Sequence, residues 1–213
     1  MNLKQAILNK AVALFNERGI SSTSPNQIAD ALNISVGNLT YHFKTKAVLV
    51  KEVYEKMHAD SQDFIKPEGY LTLDDFRKIM SAFKDFMEAY SFFFQDLFFI
   101  LHKYPEVHKL YESSNVMRLK QGRSLFEYYI ETGRMVPEGG GINYDYLTHN
   151  VWMVAAFWNS QSKIYTSGSL FEKPMDLVDM TWYMILPYLT EQGKKEYEQI
   201  NRFLKSQNKS HKV

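Results

Sequence analysis

The 213 residues are 45% hydrophobic and 23% charged, a composition that supports one large core or two smaller ones and excludes disordered and fibrous classes. The absence of cysteine excludes disulfide-stapled folds, thiol nucleophiles and thiolate metal sites. The net charge is +1, but residues 1–50 hold five basic and two acidic side chains, a mildly basic head that weakly indicates a nucleic-acid partner at that end.

The N-terminal part of the sequence predicts two helices. Apolar residues recur at helical spacing over residues 3–18, and Gly19 follows at the position of a left-handed C-cap. Ser24 and Pro25, with Gln27 three residues after the serine, form a capping-box pattern that opens a short second helix.

Two further helices are predicted in the next segment. Ser35 is the expected N-cap of a third helix with Leu39 and Phe43 facing inward, and Thr45 is the expected N-cap of a fourth helix. A few residues join the second and third helices, as in a helix-turn-helix motif, whose second helix enters the major groove of DNA. Many helical hairpins share this spacing, so the pattern alone leaves the motif open.

Further helices are predicted along the rest of the chain. Thr72 and Asp75 form a second capping box that opens a helix to about residue 90. Residues 92–101, FFFQDLFFIL, are apolar nearly all round, which predicts a helix buried on most sides, with a buried strand as the alternative. Glycine and proline separate the helical segments that follow, which are predicted at about residues 105–132, 144–166, 174–190 and in the polar tail from residue 191.

A specific pattern surrounds the third helix. Ala11 to Phe15 are closed by Arg18 and Gly19, Ile28 and Ala29 follow in the second helix, and a signature then comprises Ser35, Gly37, Leu39, Tyr41, His42, Phe43, Lys46 and Leu49. In this joint spacing residues 7–49 resemble the N-terminal DNA-binding domain of the TetR family of bacterial transcription regulators. Family members usually carry tyrosine where this chain has Thr40, and that departure shifts part of a phosphate-binding role to Tyr41 or its neighbours.

The resemblance implies a set of DNA-contacting positions. Those expected at base edges, at the adjoining backbone or at phosphates are Asn26, Gln27, Ser35, Val36, Gly37, Asn38, Thr40, Tyr41, His42, Lys44 and Lys46. Asparagine fits adenine with two hydrogen bonds, and Val36 or the Tyr41 ring can meet a thymine methyl group, so an operator with A·T pairs is expected. Gly37 has tight helix packing as its alternative role, and His42 has packing or capping against the fourth helix.

The resemblance also implies an all-helical second domain that binds a small effector and forms a homodimer through its last two long helices. The chain has ten aromatic residues between Phe76 and Tyr104, which indicate a thick core whose surplus rings can line a cavity. The candidate effector-binding residues are Phe86, Tyr90, Phe94, Gln95, Asp96, Phe98, Trp152 and Asn159. The candidate dimer-interface residues, for which burial within one subunit is the competing role, are Trp158, Tyr165, Trp182 and Tyr183.

A helical bundle without a DNA-binding role, whether an enzyme, a ligand-binding protein or a scaffold for other proteins, is the alternative. Glu55 and His58 form one Glu-x-x-His pattern, but a di-iron site needs a second copy, which the sequence lacks. His102 and His108 are six residues apart, which does not place two metal ligands on one helical face. No phosphate-binding loop or nucleophile elbow occurs, so no catalytic residue, metal or cofactor is predicted.

We therefore predict an all-α DNA-binding regulator, a repressor by the habit of the family, released from operator DNA by a largely apolar or aromatic small-molecule effector. The N-terminus lacks the layout of a signal peptide and no apolar stretch approaches the ~20 residues of a membrane span, so a cytoplasmic location without a membrane partner is expected. The predicted domains are a three-helix helix-turn-helix head at 1–48 with its recognition helix at about 35–43, a connecting fourth helix and linker at 49–66, a larger helical effector-binding and dimerisation domain at 67–205, and a disordered tail at 206–213.

Overall fold

The computed structural model describes residues 2–61, 69–164 and 175–210, and its regular elements in these ranges are all helical, which confirms the all-α prediction. None of the helices described there is long and apolar enough to cross a membrane. In chain order the α-helices are α1 (Leu3–Arg18), α2 (Pro25–Asp30), α3 (Val36–His42), α4 (Lys46–Asp60), α5 (Leu73–Ala89), α6 (Ser91–Gln95), α7 (Leu97–Lys103), α8 (Pro105–Glu131), α9 (Tyr144–Ser162), α10 (Leu177–Ile185) and α11 (Glu191–Ser210). A short 3₁₀ turn at Leu186–Tyr188 follows α10.

The helix starts of the N-terminal segment are confirmed by their caps. The Ser24 hydroxyl accepts a hydrogen bond from the Gln27 amide, and the Gln27 side chain accepts one from the Ser24 amide at 2.7 Å, so the capping box is complete. The hydroxyls of Ser35 and Thr45 cap α3 and α4 in the same way. Asn33, at φ 54°, supplies the left-handed turn between α2 and α3.

The described chain divides into two compact units, the first comprising Met1–Asp63 and Asp85–Val116. In its core the ring of Phe15 on α1 lies 5.2 Å from that of Phe92 on α6, and Tyr54 on α4 lies 5.4 Å from Phe93. These contacts join α6 to α1 and α4, and the same unit includes α7 and the first part of α8, so the compact units do not follow the domain boundaries predicted from sequence.

The second unit comprises Phe64–Lys84 and Met117–Val213. Its core gathers rings from distant helices: Trp182 on α10 lies 5.4 Å from Phe76 on α5 and 4.7 Å from Tyr197 on α11. α11 approaches the chain after α8 so closely at Gly193 that any side chain there would collide with the Arg134 carbonyl oxygen. Glycine is therefore required where α11 meets this segment.

Two expectations about the helices are wrong in part. The apolar segment 92–101 is helical, but α6 ends before Asp96 and α7 starts after it, so the face presented to the core changes. Phe92 is buried while Phe98 is 75% exposed, which contradicts burial on most sides. α11 continues to Ser210, so the first part of the tail predicted as disordered is helical, and residues 211–213 lie outside the described residues.

Candidate nucleic-acid interface

α3 is a short helix with few side chains buried in the core. Leu39 is buried within it, and Phe43, at its C-cap, is buried as well. α3 packs on α2, and α2 packs on α1. Because these two apolar side chains face the core, most of the remaining surface of α3 faces outward, as a helix that enters a DNA groove requires.

The residues predicted at DNA are mostly exposed, and six of the eleven lie on α3. Nine of the eleven are exposed, and His42 and Lys46 are half-buried. Tyr41, at 84%, is the most exposed large hydrophobic residue among those the structure describes, and its ring meets that of His42 nearly edge-on at 5.3 Å. Asn38 and Lys44 flank it in sequence and are exposed too. The structure thus brings an amide, an aromatic ring and an ammonium group onto one exposed segment.

Three of these residues make hydrogen bonds within the N-terminal head through their side chains. The Gln27 oxygen belongs to the capping box of α2, and the Ser35 hydroxyl caps α3 by accepting from the Asn38 amide at 3.1 Å. The Thr40 hydroxyl donates within α3 to the carbonyls of Val36 at 3.0 Å and Gly37 at 3.1 Å. The hydroxyl proton of Thr40 is therefore used within its own helix and is not available to donate to a DNA phosphate in this conformation.

Lys46 has an internal partner that the sequence did not indicate. Its ammonium group donates to the Ile20 carbonyl oxygen at 2.5 Å, which joins the first turn of α4 to the chain just after α1. Burial lowers the pKa of Lys46, and the nearby charge of Lys103 lowers it further. This contact gives Lys46 a structural role that the expectation of a phosphate contact did not include.

Gly37 is not required by packing. A side-chain carbon added there would meet only the Ser35 hydroxyl at 3.7 Å, an ordinary van der Waals distance, and its φ lies outside the left-handed region. The alternative of tight helix packing therefore has no support in the structure. The exposed position leaves room for an external backbone to approach closely.

A basic residue of α1 also acts within the head. Lys4 lies 2.8 Å from Glu52 on α4, and its ammonium group lies over the Phe43 ring at 5.9 Å. This residue joins α1, α4 and the end of α3. No local pattern in the sequence indicates such a pairing, because its partners are separated from it by about 40 to 50 positions.

The predicted effector-binding residues belong to both compact units. In the first unit Phe86 lies 5.2 Å from Tyr90 and 5.9 Å from Phe94, so these three buried rings form a cluster. Gln95 and Phe98 are exposed, and Asp96 is half-buried. In the second unit the half-buried Trp152 packs on Phe83 at 5.6 Å, and Asn159 is buried.

The predicted dimer residues are divided by exposure. Trp182 is only 5% exposed because it belongs to the core of the second unit, whereas the adjacent Tyr183 is 76% exposed. Trp158 is half-buried, and Tyr165 lies outside the described residues. The packing of Trp182 favours the competing role, burial within one subunit.

A cleft of about 600 Å³ in the second unit contains none of the predicted effector-binding residues. Its wall includes Arg134, whose guanidinium group donates to Glu196 at 2.7 Å and to the Tyr70 hydroxyl. Glu196 also accepts from the Leu73 amide at 2.8 Å. These charged groups are paired with one another, and their hydrogen bonds connect α11 to the start of α5.

Within residues 2–61, 69–164 and 175–210, no group of three or more His, Asp or Glu residues could hold a metal ion.

Two family models match the chain. The model described as bacterial regulatory proteins, tetR family, matches residues 7–53, and the model described as bacterial transcriptional repressor matches residues 53–197. Both descriptions are of regulators and not of enzymes, which confirms the prediction that the chain is not an enzyme.

Curated relatives align with a limited part of the chain. It is 42% identical over 52 residues to the HTH-type transcriptional regulator AcrR of Shigella flexneri, an alignment that covers 24% of each protein. It is 40% identical over 68 residues to the HTH-type transcriptional regulator QacR of Staphylococcus aureus, covering 32% of this chain and 36% of that protein. The matched segment therefore spans only about a quarter to a third of the length of these relatives.

Solved structures match nearly the whole chain. A TetR-family transcriptional regulator from Marinobacter aquaeolei superposes with a TM-score of 0.83 at 23% identity, covering 95% of this chain and 99% of that one. SmeT, the repressor of the Stenotrophomonas maltophilia multidrug efflux pump SmeDEF, superposes with a TM-score of 0.65 at 14% identity, covering 88% and 91%. At these identities the likeness is one of fold.

Proposed function

The chain belongs to the TetR family of bacterial transcription regulators, and from this premise we propose that it is a repressor that binds specific operator DNA. The observation that carries the proposal is the exposed face of α3, which combines the Asn38 amide, the Tyr41 ring and a Gly37 that packing does not require. The excess of basic residues in the head favours a polyanionic partner. The cytoplasm is the proposed location, because a bacterial operator lies there.

In this proposal, different residues contact the bases and the phosphates of the operator. Asn38 and Tyr41 read base edges, since asparagine matches adenine and a ring can contact a thymine methyl group. Lys44 and His42 contact phosphates, and Lys46 positions α4 through the Ile20 carbonyl. Asn26, at the start of α2, contributes from the helix that precedes the turn.

Selection from a random pool of duplex DNA, followed by mobility shifts at two salt concentrations, tests this function. The protein should enrich a two-fold symmetric sequence, and its affinity should fall steeply with salt. Enrichment of no sequence, with binding that is equal for all duplexes, would contradict a specific operator.

A homodimer would supply the two recognition helices of a symmetric site. An apolar stripe on the second unit supports this proposal: Tyr146, Met153 and Phe157 are exposed on α9 at spacings of seven and four residues. Tyr183 is exposed on α10, which packs against α9. Large exposed apolar patches mark interaction surfaces, so these helices are the proposed interface.

Light scattering tests the interface. The protein should have about twice the mass of 25.0 kDa at micromolar concentration, and Met153→Asp or Tyr183→Asp should shift it toward the monomer. Phe203→Asp on α11, which replaces an exposed ring outside the stripe, serves as the matched control and should leave the dimer intact. A wild-type monomer at all concentrations would exclude the proposed interface.

The proposed effector is a small and largely apolar molecule that weakens DNA binding. The ring cluster of Phe86, Tyr90 and Phe94 supports a site in the first unit, while Trp152 and Asn159 are candidates in the second. Native mass spectrometry of freshly purified protein and a thermal-shift screen test for such a molecule. Coupling between the sites is reciprocal, so operator DNA should weaken effector binding by the same factor.

A further inference from the structure

The junction between α5 and α6 leaves helix ends that need hydrogen-bond partners. α5 ends at Ala89 and α6 begins at Ser91, so a single residue, Tyr90, separates them. The last carbonyls and the first amides of helices lack partners within their own helix. Tyr90 occupies the N-cap position of α6, but its side chain makes no capping hydrogen bond.

Asn16, on α1, supplies both missing caps. Its Nδ2 group donates to the Ala89 carbonyl oxygen at 2.7 Å, and its Oδ1 atom accepts from the Phe92 amide at 3.0 Å and from the Ser91 hydroxyl at 3.1 Å. One amide side chain therefore ends α5 and starts α6. The neighbouring Phe15 ring packs on Phe92 at 5.2 Å, which adds an apolar contact to the same place.

The other side of the junction is held by α4. The Tyr90 hydroxyl donates to Asp60 at 2.5 Å and accepts from the Lys56 ammonium group at 3.1 Å. Burial raises the pKa of Asp60, but the hydrogen bonds from Lys56 and Tyr90 outweigh it and lower that pKa overall. The α5–α6 junction is thus bonded both to α1 and to α4.

We propose that Asn16 is a positioning residue that couples the α5–α6 junction to the DNA-binding head. This inference rests on the function proposed above and specifies how DNA binding is regulated. α5 begins in the second compact unit and ends in the first, so a change in the pitch or end of α5 reaches α1 through the two caps that Asn16 makes. Both caps hold only while Ala89 and Phe92 keep their present spacing.

α1 transmits this constraint to the remaining head. The Thr23 hydroxyl, just before α2, donates to the Gly19 carbonyl at 2.9 Å, and Lys46 donates to the Ile20 carbonyl. Both contacts tie the end of α1 to the helices around α3. Without the two Asn16 hydrogen bonds, α1 becomes more mobile relative to the α5–α6 junction. DNA binding must then restrict the motion of α1, and the lost conformational entropy weakens the affinity for DNA.

The test compares Asn16→Ala with Asn9→Ala in the 213-residue protein. Asn9 is a suitable control because it is also an asparagine of α1, and its side chain accepts a hydrogen bond from Gln5 on the same helix. The DNA probe is the duplex that the wild-type protein selects from a random pool. We expect Asn16→Ala to weaken binding to this duplex roughly fivefold to tenfold and Asn9→Ala to leave it unchanged.

Hydrogen exchange at residues 91–93 shows whether the junction itself has opened. We expect these amides to exchange faster in Asn16→Ala than in the wild type, since the Phe92 amide loses its acceptor. Faster exchange with unchanged DNA affinity would make Asn16 a structural cap only and would overturn the proposal. A wild-type protein that selects no duplex would instead overturn the proposed function.

Asn16→Asp separates the two caps and covers the case in which Asn16→Ala fails to fold. It keeps an oxygen acceptor for Phe92 and Ser91 but loses the donor to Ala89. We expect an intermediate loss of affinity, since only the α5 end is released. DNA affinity equal to that of the wild type in both Asn16→Asp and Ser91→Ala would contradict the coupling.

Discussion

α3 and α10 are both short helices that expose a tyrosine, yet their surroundings differ. Tyr41 on α3 is 84% exposed and Tyr183 on α10 is 76% exposed. The first lies among Asn38, Lys44 and Thr40, whereas the second lies on an apolar helix beside the apolar stripe of α9. A ring among polar groups is typical of a surface that meets nucleic acid, and a ring among apolar groups is typical of a protein interface.

The two helices also differ in how they are anchored. α3 buries Leu39 and relies on Phe43 beyond its end, whereas α10 buries four of its nine residues. Loss of a buried side chain of α10 should therefore damage the fold, whereas loss of an exposed side chain of α3 should remove a contact with DNA.

The largest effect should come from Trp182→Ala. Removing a buried ring that packs on Phe76 and Tyr197 leaves a cavity and should destabilise the second unit by about 3 to 5 kcal/mol. Chemical unfolding followed by circular dichroism measures this loss. Tyr183→Ala, one residue away, should leave the unfolding free energy nearly unchanged and weaken only the dimer. Equal destabilisation by the two substitutions would contradict the assignment of Trp182 to the core and Tyr183 to the surface.

A smaller effect is expected for Asn38→Ala on α3. Loss of a base contact should cost about 1 to 3 kcal/mol of DNA binding per half-site and relax the preference at one base pair. Mobility shifts on single-base variants of the selected duplex measure it, with circular dichroism as the folding control. An unchanged base preference would show that Asn38 does not read bases.

Lys44 and Lys46 should separate phosphate contact from positioning. Lys44→Ala should leave stability unchanged and lower the slope of binding against salt by about one unit per subunit. Lys46→Ala removes the donor to the Ile20 carbonyl and should instead cost about 1 kcal/mol of stability. Salt titrations and unfolding curves of both variants test this; a reduced salt slope without destabilisation in Lys46→Ala would contradict the structural role.

The smallest effect is expected for Thr40→Ala. Its hydroxyl donates to carbonyls of its own helix, and exposed substitutions away from special features usually change stability by less than about 0.5 kcal/mol. DNA affinity should stay within about twofold of the wild type by the same reasoning. A large loss in mobility shifts would show that the hydroxyl rotates outward to a phosphate.

The fold of the N-terminal helices could be predicted because its signals are local. Ser24, Ser35 and Thr45 each cap an amide three residues away, so a short stretch of sequence contains both partners. The segment 92–101 was harder, because periodicity does not reveal a break. Asp96 separates two helices whose faces differ, and Phe98 consequently lies at the surface.

The candidate DNA-contacting residues were predictable to the extent that α3 itself was. The resemblance to a known family identified α3 as the recognition helix, and Asn38 and Tyr41 are exposed on this helix. The role of Lys46 was not predictable, because its partner Ile20 lies 26 positions earlier. The effector residues stay a prediction, because Phe86 belongs to the first compact unit and Trp152 to the second.

By itself the sequence determined the helix caps, the helix-turn-helix segment and the all-α class, because each depends on hydrogen bonds or apolar spacing within a few turns. Only the tertiary structure decided which of Trp182 and Tyr183 lies in the core and that Asn16 caps a helix junction 73 residues away. The reason is physical: adjacent residues on a helix point about 100° apart, and a sequence pattern records that a side chain is apolar or polar but not which distant backbone or core it will meet.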